Sequence, residues 1–333
     1  MIQPERIRAI NDRPARDGKY VLYWMQAAQR VEYNHALEYA VRSANDMCKP
    51  VVVYFGITDN WPEANLRHYH FMLEGLREVR QALEAKGIQM VIRHQSPDSG
   101  AAELAKEAAM VVVDAGHLRV QAKWRANAAG RIRCPMYEVE TNLIVPVEEA
   151  STKENFSAGT FRPRITKQLD RYLVPLKRGK PRVESLGMKF STFDIEDIDK
   201  ALSKIDIGRS VPKSDFFQGG TSEAKKRLDG FLRKKLDRFG ELRNDPTADH
   251  ISNMSPYLHF GQISPLFIAL KVLKNRGAGR DANAFAGVNW RFGKHDRAWA
   301  ERPIFGKIRY MNAAGLKRKF NIEAYVKKVR ELK

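Results

Sequence analysis

The stretch PVVVYFG, residues 50–56, decides the fold of the amino-terminal half, because a short apolar run rich in β-branched residues is typical of a strand buried on both faces. Four further runs share this pattern: KYVLYWM (19–25), IQMVIRH (88–94), MVVVDAG (110–116) and PMYEVE (135–140). Segments with helical periodicity separate the runs, at 34–47, 65–87, 101–109 and 118–130. Strands that alternate with helices of this length predict a Rossmann-like α/β domain over residues 1–150, a doubly wound parallel sheet covered on both faces.

Several function classes are not predicted for this chain. No GxGxxG or Walker-type glycine loop follows the first predicted strand, so the familiar nicotinamide and nucleoside-triphosphate sites are not expected there. There are two cysteines and no short metal-ligand spacing, which predicts neither a metal site nor a disulfide framework. The first 20 residues carry charges throughout, and no apolar stretch is long enough to cross a bilayer. We therefore expect an intracellular, cytoplasmic protein.

The distribution of charge divides the chain into two unlike halves. The formal net charge is +19, from 58 Lys and Arg and 39 Asp and Glu. Residues 1–150 hold 19 residues of each sign, so the whole excess lies after Ala150. A neutral half joined to a strongly basic half favours a polyanionic partner such as nucleic acid. The alternative is a basic surface that serves only solubility.

The second half is predicted to be helical after a connecting segment. Periodicity weakens and Pro, Lys, Ser and Gly become frequent over residues 151–220, which is typical of an interdomain connection. The pattern SEAKKRLDGFLRKKLDRFGELR (222–243) places apolar and basic residues on opposite faces of a helix. We expect residues 221–333 to form an all-α domain.

The densest polar motif is RNDPTADHISNMSPYLHFGQISP, residues 243–265. Ser255-Pro256 is typical of a helix start, because serine caps a helix and proline fits its first turn. Ser252 and Asn253 precede that start and could hold a phosphate or pyrophosphate at the positive helix end. Ser264-Pro265 predicts a second helix start. Two capped helices without a ligand are an equal alternative on these residues alone.

A second motif, GRDANAFAGVNWRFGKHDRAWAERPIFGKIRYM (279–311), interleaves aromatic and basic residues. Aromatic rings among fixed cations suit stacking on unpaired bases while the cations contact phosphates. A packed helical domain with a solvated basic face is the alternative.

Together these segments resemble the class II cyclobutane-pyrimidine-dimer photolyases of the photolyase/cryptochrome family. The resemblance is carried by YWMQAAQR (23–30), NHALEYA (34–40), RHYHFMLEGL (67–76), VETNLIVPVEEAS (139–151), SAGTFRPRI (157–165), residues 243–265 and GKHDRAWAERPIFGKIRYMN (293–312). It implies light-driven repair of pyrimidine dimers in double-stranded DNA with reduced FAD. It also leaves room for an antenna chromophore of unknown identity in the amino-terminal domain.

The resemblance also assigns roles to particular residues. FAD is expected to contact Ile251, Ser252, Asn253, Met254 and Ser255, together with Phe239 at a position that is usually tyrosine. DNA is expected to contact Arg243 and Arg309 through its backbone, Trp290 through the flipped dimer, and Arg297 and Trp299 in the gap left in the duplex.

The chain departs from the family after the helix that begins at Pro265. Family members continue through a large helical block, whereas here Lys274 is followed at once by NRGAGRD (275–281), and Ala278 stands where an aspartate usually supports the isoalloxazine ring. The resemblance therefore implies an internal deletion that shortens the helical domain and removes part of the flavin pocket. A nucleic-acid-binding relic without productive flavin and an internally deleted gene product are the alternatives.

Overall fold

A computed structural model describes residues 2–276, with gaps at 60, 153–154, 156–157, 244 and 246. A six-stranded sheet in the order β1-β6-β5-β2-β3-β4 forms the centre of the amino-terminal half. Its strands are β1 (Ile7–Ala9), β2 (Tyr20–Trp24), β3 (Val51–Ile57), β4 (Gln89–His94), β5 (Ala108–Asp114) and β6 (Met136–Val139). The five predicted strands are all present, which confirms the α/β fold.

The sheet is mixed rather than wholly parallel, so the prediction of a parallel sheet needs a correction. β2 pairs in parallel with both β3 and β5, whereas β1 pairs antiparallel with β6, with Ile7 opposite Val139. β1 has three residues, none of them buried, and such a short edge strand lacks the buried apolar run that identified the others.

Helices cover both faces of the sheet, as predicted. α1 (His35–Asp46) and α2 (Leu66–Glu84) pack on one face, and α3 (Pro97–Leu104) and α4 (Arg119–Arg131) pack on the other. Alternate residues of β2 point to opposite faces: Val21 and Tyr23 lie in the first core cluster, and Leu22 and Trp24 in the second. The molecule therefore has two apolar cores with the sheet between them.

The helix predicted over residues 101–109 begins and ends earlier. α3 starts at Pro97, because Ser96-Pro97 forms its first turn, and the chain is already in β5 at Ala108. Alanine is apolar and favours helices, so composition alone did not separate the end of α3 from the start of β5.

The connecting segment, residues 151–220, covers the edge of the sheet, and its described part contains three short helices. α5 (Val147–Ala150) comes just before it, and the three are α6 (Ala158–Thr166), α7 (Leu169–Tyr172) and α8 (Ile198–Ser203). Downstream of α7 the chain runs beside the edge strand β4, where the Phe193 amide donates to the Ile92 carbonyl at 2.6 Å. This contact satisfies edge hydrogen bonds that would otherwise be open to another chain.

The described part of the carboxy-terminal half is helical. It consists of α9 (Thr221–Lys234), α10 (Phe239–Leu242), α11 (Ser255–His259) and α12 (Pro265–Arg276). α9 buries Ala224, Leu228 and Phe231, as the amphipathic pattern predicts, but it ends at Lys234 and α10 follows after a break. Within the described residues, no helix combines the length and apolar character needed to cross a membrane.

Candidate functional site

The residues of the loop Ile251–Ser255, which we call the polar loop, differ sharply in burial. Ile251 is 49% exposed and Met254 is 4% exposed, while Ser252 and Asn253 are half-buried. Asn253 has φ 55°, a left-handed conformation that asparagine tolerates better than most residues. The loop therefore anchors itself through Met254 and keeps two short polar side chains next to the surface.

The predicted helix start at Ser255-Pro256 is confirmed, but the cap is one residue earlier than predicted. α11 begins at Ser255, and its N-cap position is Met254, which forms no side-chain cap hydrogen bond. α11 is five residues long, so it sums few peptide dipoles and its end contributes little to anion binding. Recognition of a phosphate would fall to the polar loop. The second predicted start is confirmed, because α12 begins at Pro265 and the Ser264 hydroxyl accepts from the Phe267 amide at 3.5 Å.

An aromatic and a cationic residue lie over the same apolar cluster as the polar loop. The ring of Phe239 packs edge-to-face on Phe231 at 5.2 Å between centroids, and Met254 belongs to the same cluster. The guanidinium carbon of exposed Arg243 lies 5.7 Å from the centroid of Phe239. The structure thus brings Phe239, Arg243 and Met254 to one cluster. The other predicted DNA contacts, at Trp290, Arg297, Trp299 and Arg309, lie outside the described residues.

α11 rests on α2 of the amino-terminal half. Tyr257 is fully buried, its hydroxyl donates to the Gln218 carbonyl at 2.8 Å, and burial raises its pKa to about 12. The ring of Phe71 packs against Tyr257 at 5.2 Å and against Phe260 at 5.3 Å between centroids. The hydroxyl is therefore a neutral donor at physiological pH, and α11 is held by both polar and apolar contacts.

Gln262 joins three segments and was not predicted from the sequence. Its side chain is fully buried, donates to the Phe71 carbonyl at 3.1 Å and accepts from the Gly220 amide at 2.8 Å. A Cβ at Gly75 would lie 2.2 Å from its amide nitrogen, so a larger residue at this position of α2 would displace the Gln262 side chain. Glutamine is usually exposed, and nothing in the neighbouring sequence marks this one as buried.

The amino end of α9 is also held by α2. The Glu78 carboxylate accepts from the Ser222 amide at 2.9 Å and from the Ser222 hydroxyl at 2.9 Å. A carboxylate at this position satisfies orphan amide groups and complements the helix dipole. α9, α11 and the polar loop are thus all anchored on one helix of the amino-terminal half.

The carboxyl edge of the sheet between β2 and β5 is closed by the chain itself. This is the point where the strand order reverses, at which open α/β sheets usually bind ligands. The fully buried Asp114 carboxylate accepts from the amides of Gln26, Ala27 and Ala28 at 2.7, 2.6 and 3.0 Å, and from the Tyr23 hydroxyl at 3.0 Å. Burial raises the pKa of Asp114, and these donors oppose that shift by stabilising the charged form.

The described residues contain no group of three or more His, Cys, Asp or Glu side chains arranged to hold a metal ion.

Comparison with known proteins identifies the family. The family model for DNA photolyase matches residues 21–182. A deoxyribodipyrimidine photo-lyase of Methanothermobacter thermautotrophicus is 38% identical, and the alignment covers 100% of this chain and 99% of that protein. A deoxyribodipyrimidine photo-lyase of Arabidopsis thaliana is 26% identical over 94% of this chain and 89% of its own length. The chain belongs to the DNA photolyase family.

Solved structures share the fold. A Synechocystis cryptochrome superimposes with a TM-score of 0.67 at 16% identity, and a class III photolyase of Agrobacterium tumefaciens with 0.67 at 18%. The superpositions cover 82% and 86% of this chain but only 59% and 60% of those structures. The chain thus matches about three fifths of the length of these two proteins.

The residues at the polar loop fit one end of an FAD molecule. Ser252 and Asn253 offer half-buried hydroxyl and amide groups, which suit a pyrophosphate, and Phe239 offers an aromatic face close to a cation. The described residues on this surface therefore match the polar end of the cofactor.

Proposed function

We propose that this chain repairs cyclobutane pyrimidine dimers in double-stranded DNA, as a class II deoxyribodipyrimidine photolyase that uses FAD. The observation that carries the proposal is the full-length match to a deoxyribodipyrimidine photo-lyase at 38% identity. The polar loop supports it, because Met254, which follows the half-buried Ser252 and Asn253, belongs to the apolar cluster that Phe239 packs against. When bound, reduced and light-excited FAD supplies the electron that opens the dimer.

The domain organisation is part of this proposal. Residues 1–150 form the α/β domain, 151–220 connect the domains, and 221–333 form the shortened helical domain that meets FAD and DNA. An antenna chromophore in the first domain is not assigned to any residue.

In this proposal one set of residues binds FAD and another set binds DNA. Ser252 and Asn253 hold the pyrophosphate, Ile251, Met254 and Ser255 shape the loop, and Phe239 flanks the cofactor. Arg243 and Arg309 contact the DNA backbone. Trp290 packs against the flipped dimer, and Arg297 and Trp299 fill the space that the dimer leaves.

We further propose that an internal segment of the helical domain is absent. The alignment with the Methanothermobacter protein extends over 447 positions whereas this chain has 333 residues, so at least 114 positions (447 − 333) carry no residue of this chain. We place the gap after Lys274, where the resemblance indicates a missing helical block. A binding pocket that lacks part of its walls offers less contact area to the cofactor, so we expect FAD to bind weakly.

The gap also favours a second candidate function, DNA binding without repair. A net charge of +19, all of it after Ala150, suffices for non-specific attraction to DNA even where flavin chemistry is lost.

The two functions are separated by a repair assay on an oligonucleotide that carries one thymine dimer. The protein is supplied with excess FAD and a chemical reductant, and the dimer is quantified after illumination and in the dark. Light-dependent loss of the dimer supports photolyase activity. Binding of the same oligonucleotide without any loss in the light supports the second candidate.

A matched pair of variants ties the activity to the polar loop. Ser252→Ala removes a hydroxyl proposed to contact the cofactor, whereas Ser203→Ala removes an exposed hydroxyl at the end of α8 that only contacts the Lys200 carbonyl. We expect Ser252→Ala to need several-fold more FAD for half-maximal repair, and Ser203→Ala to match the wild type. Equal FAD requirements in the wild type and both variants would show that Ser252 does not contact the cofactor.

A further inference from the structure

Arg30 is a buried cation whose hydrogen bonds all go to neutral acceptors. It is 1% exposed, and its guanidinium donates to the carbonyls of Tyr33, Thr141 and Gly261 and to the Asn142 side chain. Among the described residues no carboxylate lies within ion-pair distance of it, although the charge of the buried Asp114 acts on it from further away and raises its pKa. Since arginine is almost never fully buried without an ion pair, these four acceptor groups and the more distant Asp114 carboxylate together compensate for the lost hydration.

The guanidinium remains charged in this environment. Burial lowers the pKa of Arg30 to about 10, which still leaves it protonated at neutral pH. A charged donor forms stronger hydrogen bonds than a neutral one, particularly away from water. Arg30 is therefore able to hold the segments that provide its acceptors.

One of these segments is the turn between α11 and α12. The Gly261 carbonyl accepts from Arg30 at 2.9 Å, across 231 residues of sequence. Gly261 has φ 67°, and a Cβ there would lie 1.9 Å from the Ala27 carbonyl oxygen. Asn142 links the two segments, because its side chain donates to the Ala27 carbonyl at 2.8 Å and accepts from Arg30 at 2.7 Å.

Little chain separates the turn from the polar loop. Only the five residues 256–260, most of them in α11, lie between Ser255 at the end of the polar loop and Gly261. Gln262 fixes the other side of the turn through the Phe71 carbonyl and the Gly220 amide. With the turn held on both sides, a shift at Gly261 would be passed through one short helix to the polar loop.

We infer that Arg30 is a positioning residue for the polar loop, which it holds in place for the cofactor by fixing the Gly261 turn to the carboxyl edge of the sheet. The inference takes the identity of the ligand, FAD, from the proposed function. The position of the loop itself follows from the contacts of Arg30, Asn142 and Gly261.

Arg6 provides a matched control. It is also 1% exposed, burial also lowers its pKa to about 10, and its guanidinium also donates to backbone carbonyls, those of Glu140, Leu143 and Ile144. These acceptors all lie in the amino-terminal half. Arg30→Lys and Arg6→Lys therefore remove the same guanidinium fork from equally buried positions, but only the first removes a contact to the Gly261 turn.

Two measurements on the full chain distinguish positioning from general stability. Without flavin, hydrogen exchange of the peptide covering residues 251–262 is expected to be about tenfold faster in Arg30→Lys and unchanged in Arg6→Lys. In a titration with FAD, the Kd is expected to rise about tenfold in Arg30→Lys only, as lost hydrogen bonds from a charged donor imply. Thermal unfolding of both variants is the control, and we expect Arg30→Lys and Arg6→Lys to lower the Tm by similar amounts.

The inference is overturned if both variants speed exchange of residues 251–262 equally, or if neither does. An unchanged Kd in Arg30→Lys would also overturn it. If the wild-type chain binds no FAD, the proposed function fails, and the exchange comparison still decides whether Arg30 positions the loop.

Discussion

At the scale of single residues, His35 shows how burial fixes a protonation state. It begins α1, is 2% exposed, and its Nδ1 atom has no hydrogen-bond partner among the described residues. Burial lowers its pKa well below the ordinary value of 6.5, and the nearby cations Arg6 and Arg30 lower it further. The imidazole is therefore neutral in the folded protein at neutral pH.

This depressed pKa predicts a loss of stability in mild acid. The unfolded chain binds a proton at His35 as the pH falls below 6.5 and the folded chain does not, so acidification favours unfolding. Between pH 7 and pH 5.5 we expect this one site to remove about 1 kcal/mol from the free energy of unfolding. Denaturant titrations at both pH values should show a larger loss in wild type than in His35→Gln. Equal losses in the two proteins would contradict a neutral, buried His35.

The buried polar residues are the part of the candidate site that could not be predicted from the sequence. The apolar strands were predicted correctly because burial on both faces leaves a local pattern. Arg30 and Gln262 have partners 231 and 191 residues away, so no local pattern reveals that they are buried. The structural role of Asp114 could not be predicted either, because an acidic residue at the end of a strand is equally typical of a ligand site.

At the scale of elements, the two helices that follow the polar loop are joined by a turn that only glycine fits. Gly261 combines a left-handed φ of 67° with a close approach to the Ala27 carbonyl oxygen. Gly230 lies in the middle of α9, where an added Cβ would meet nothing within 4 Å outside its own helix backbone. The same substitution should thus have opposite effects at these two glycines.

Gly261→Ala is expected to lower the free energy of unfolding by about 3 kcal/mol, because it adds backbone strain and a steric clash. Gly230→Ala is expected to raise it by about 0.5–1 kcal/mol, because alanine favours the helix. Chemical denaturation of the two single variants measures both changes. A Gly261→Ala variant as stable as the wild type would show that the turn is not held against Ala27.

Helices and strands were predicted well where buried apolar residues recur at regular spacing, and poorly where they do not. α1, α2 and α4 follow their apolar periodicity to within a few residues. The edge strand β1 was missed because it is short and not buried. The cap at Ser255 was assigned wrongly because a Ser-Pro pair can occupy the first two helical positions as well as the cap and the first position.

At the scale of the whole molecule, the uneven charge predicts the salt dependence of the proposed DNA binding. The net charge of +19 lies after Ala150, so association should depend on released counterions and weaken steeply with salt. We expect a log–log slope of about −0.9 for each phosphate contacted.

Removing one proposed phosphate contact should make that slope shallower. Arg243→Ala, at an exposed position beside Phe239, is expected to change the slope by about 1. Arg8→Ala removes a cation from the neutral half, where the side chain is 67% exposed, and should leave the slope unchanged. DNA affinities measured over a range of salt concentrations test both variants, and a flat salt dependence in the wild type would argue against a DNA partner.

The central claim is that the chain keeps the polar end of a flavin site while lacking part of its walls. The most direct test is the visible absorption of the protein as purified and then during a titration with FAD. We expect a colourless or pale yellow protein that takes up one FAD per chain in a saturable and reversible manner. Stoichiometric flavin retained through purification would contradict the missing walls, and no saturable uptake at all would contradict a flavin site at the polar loop.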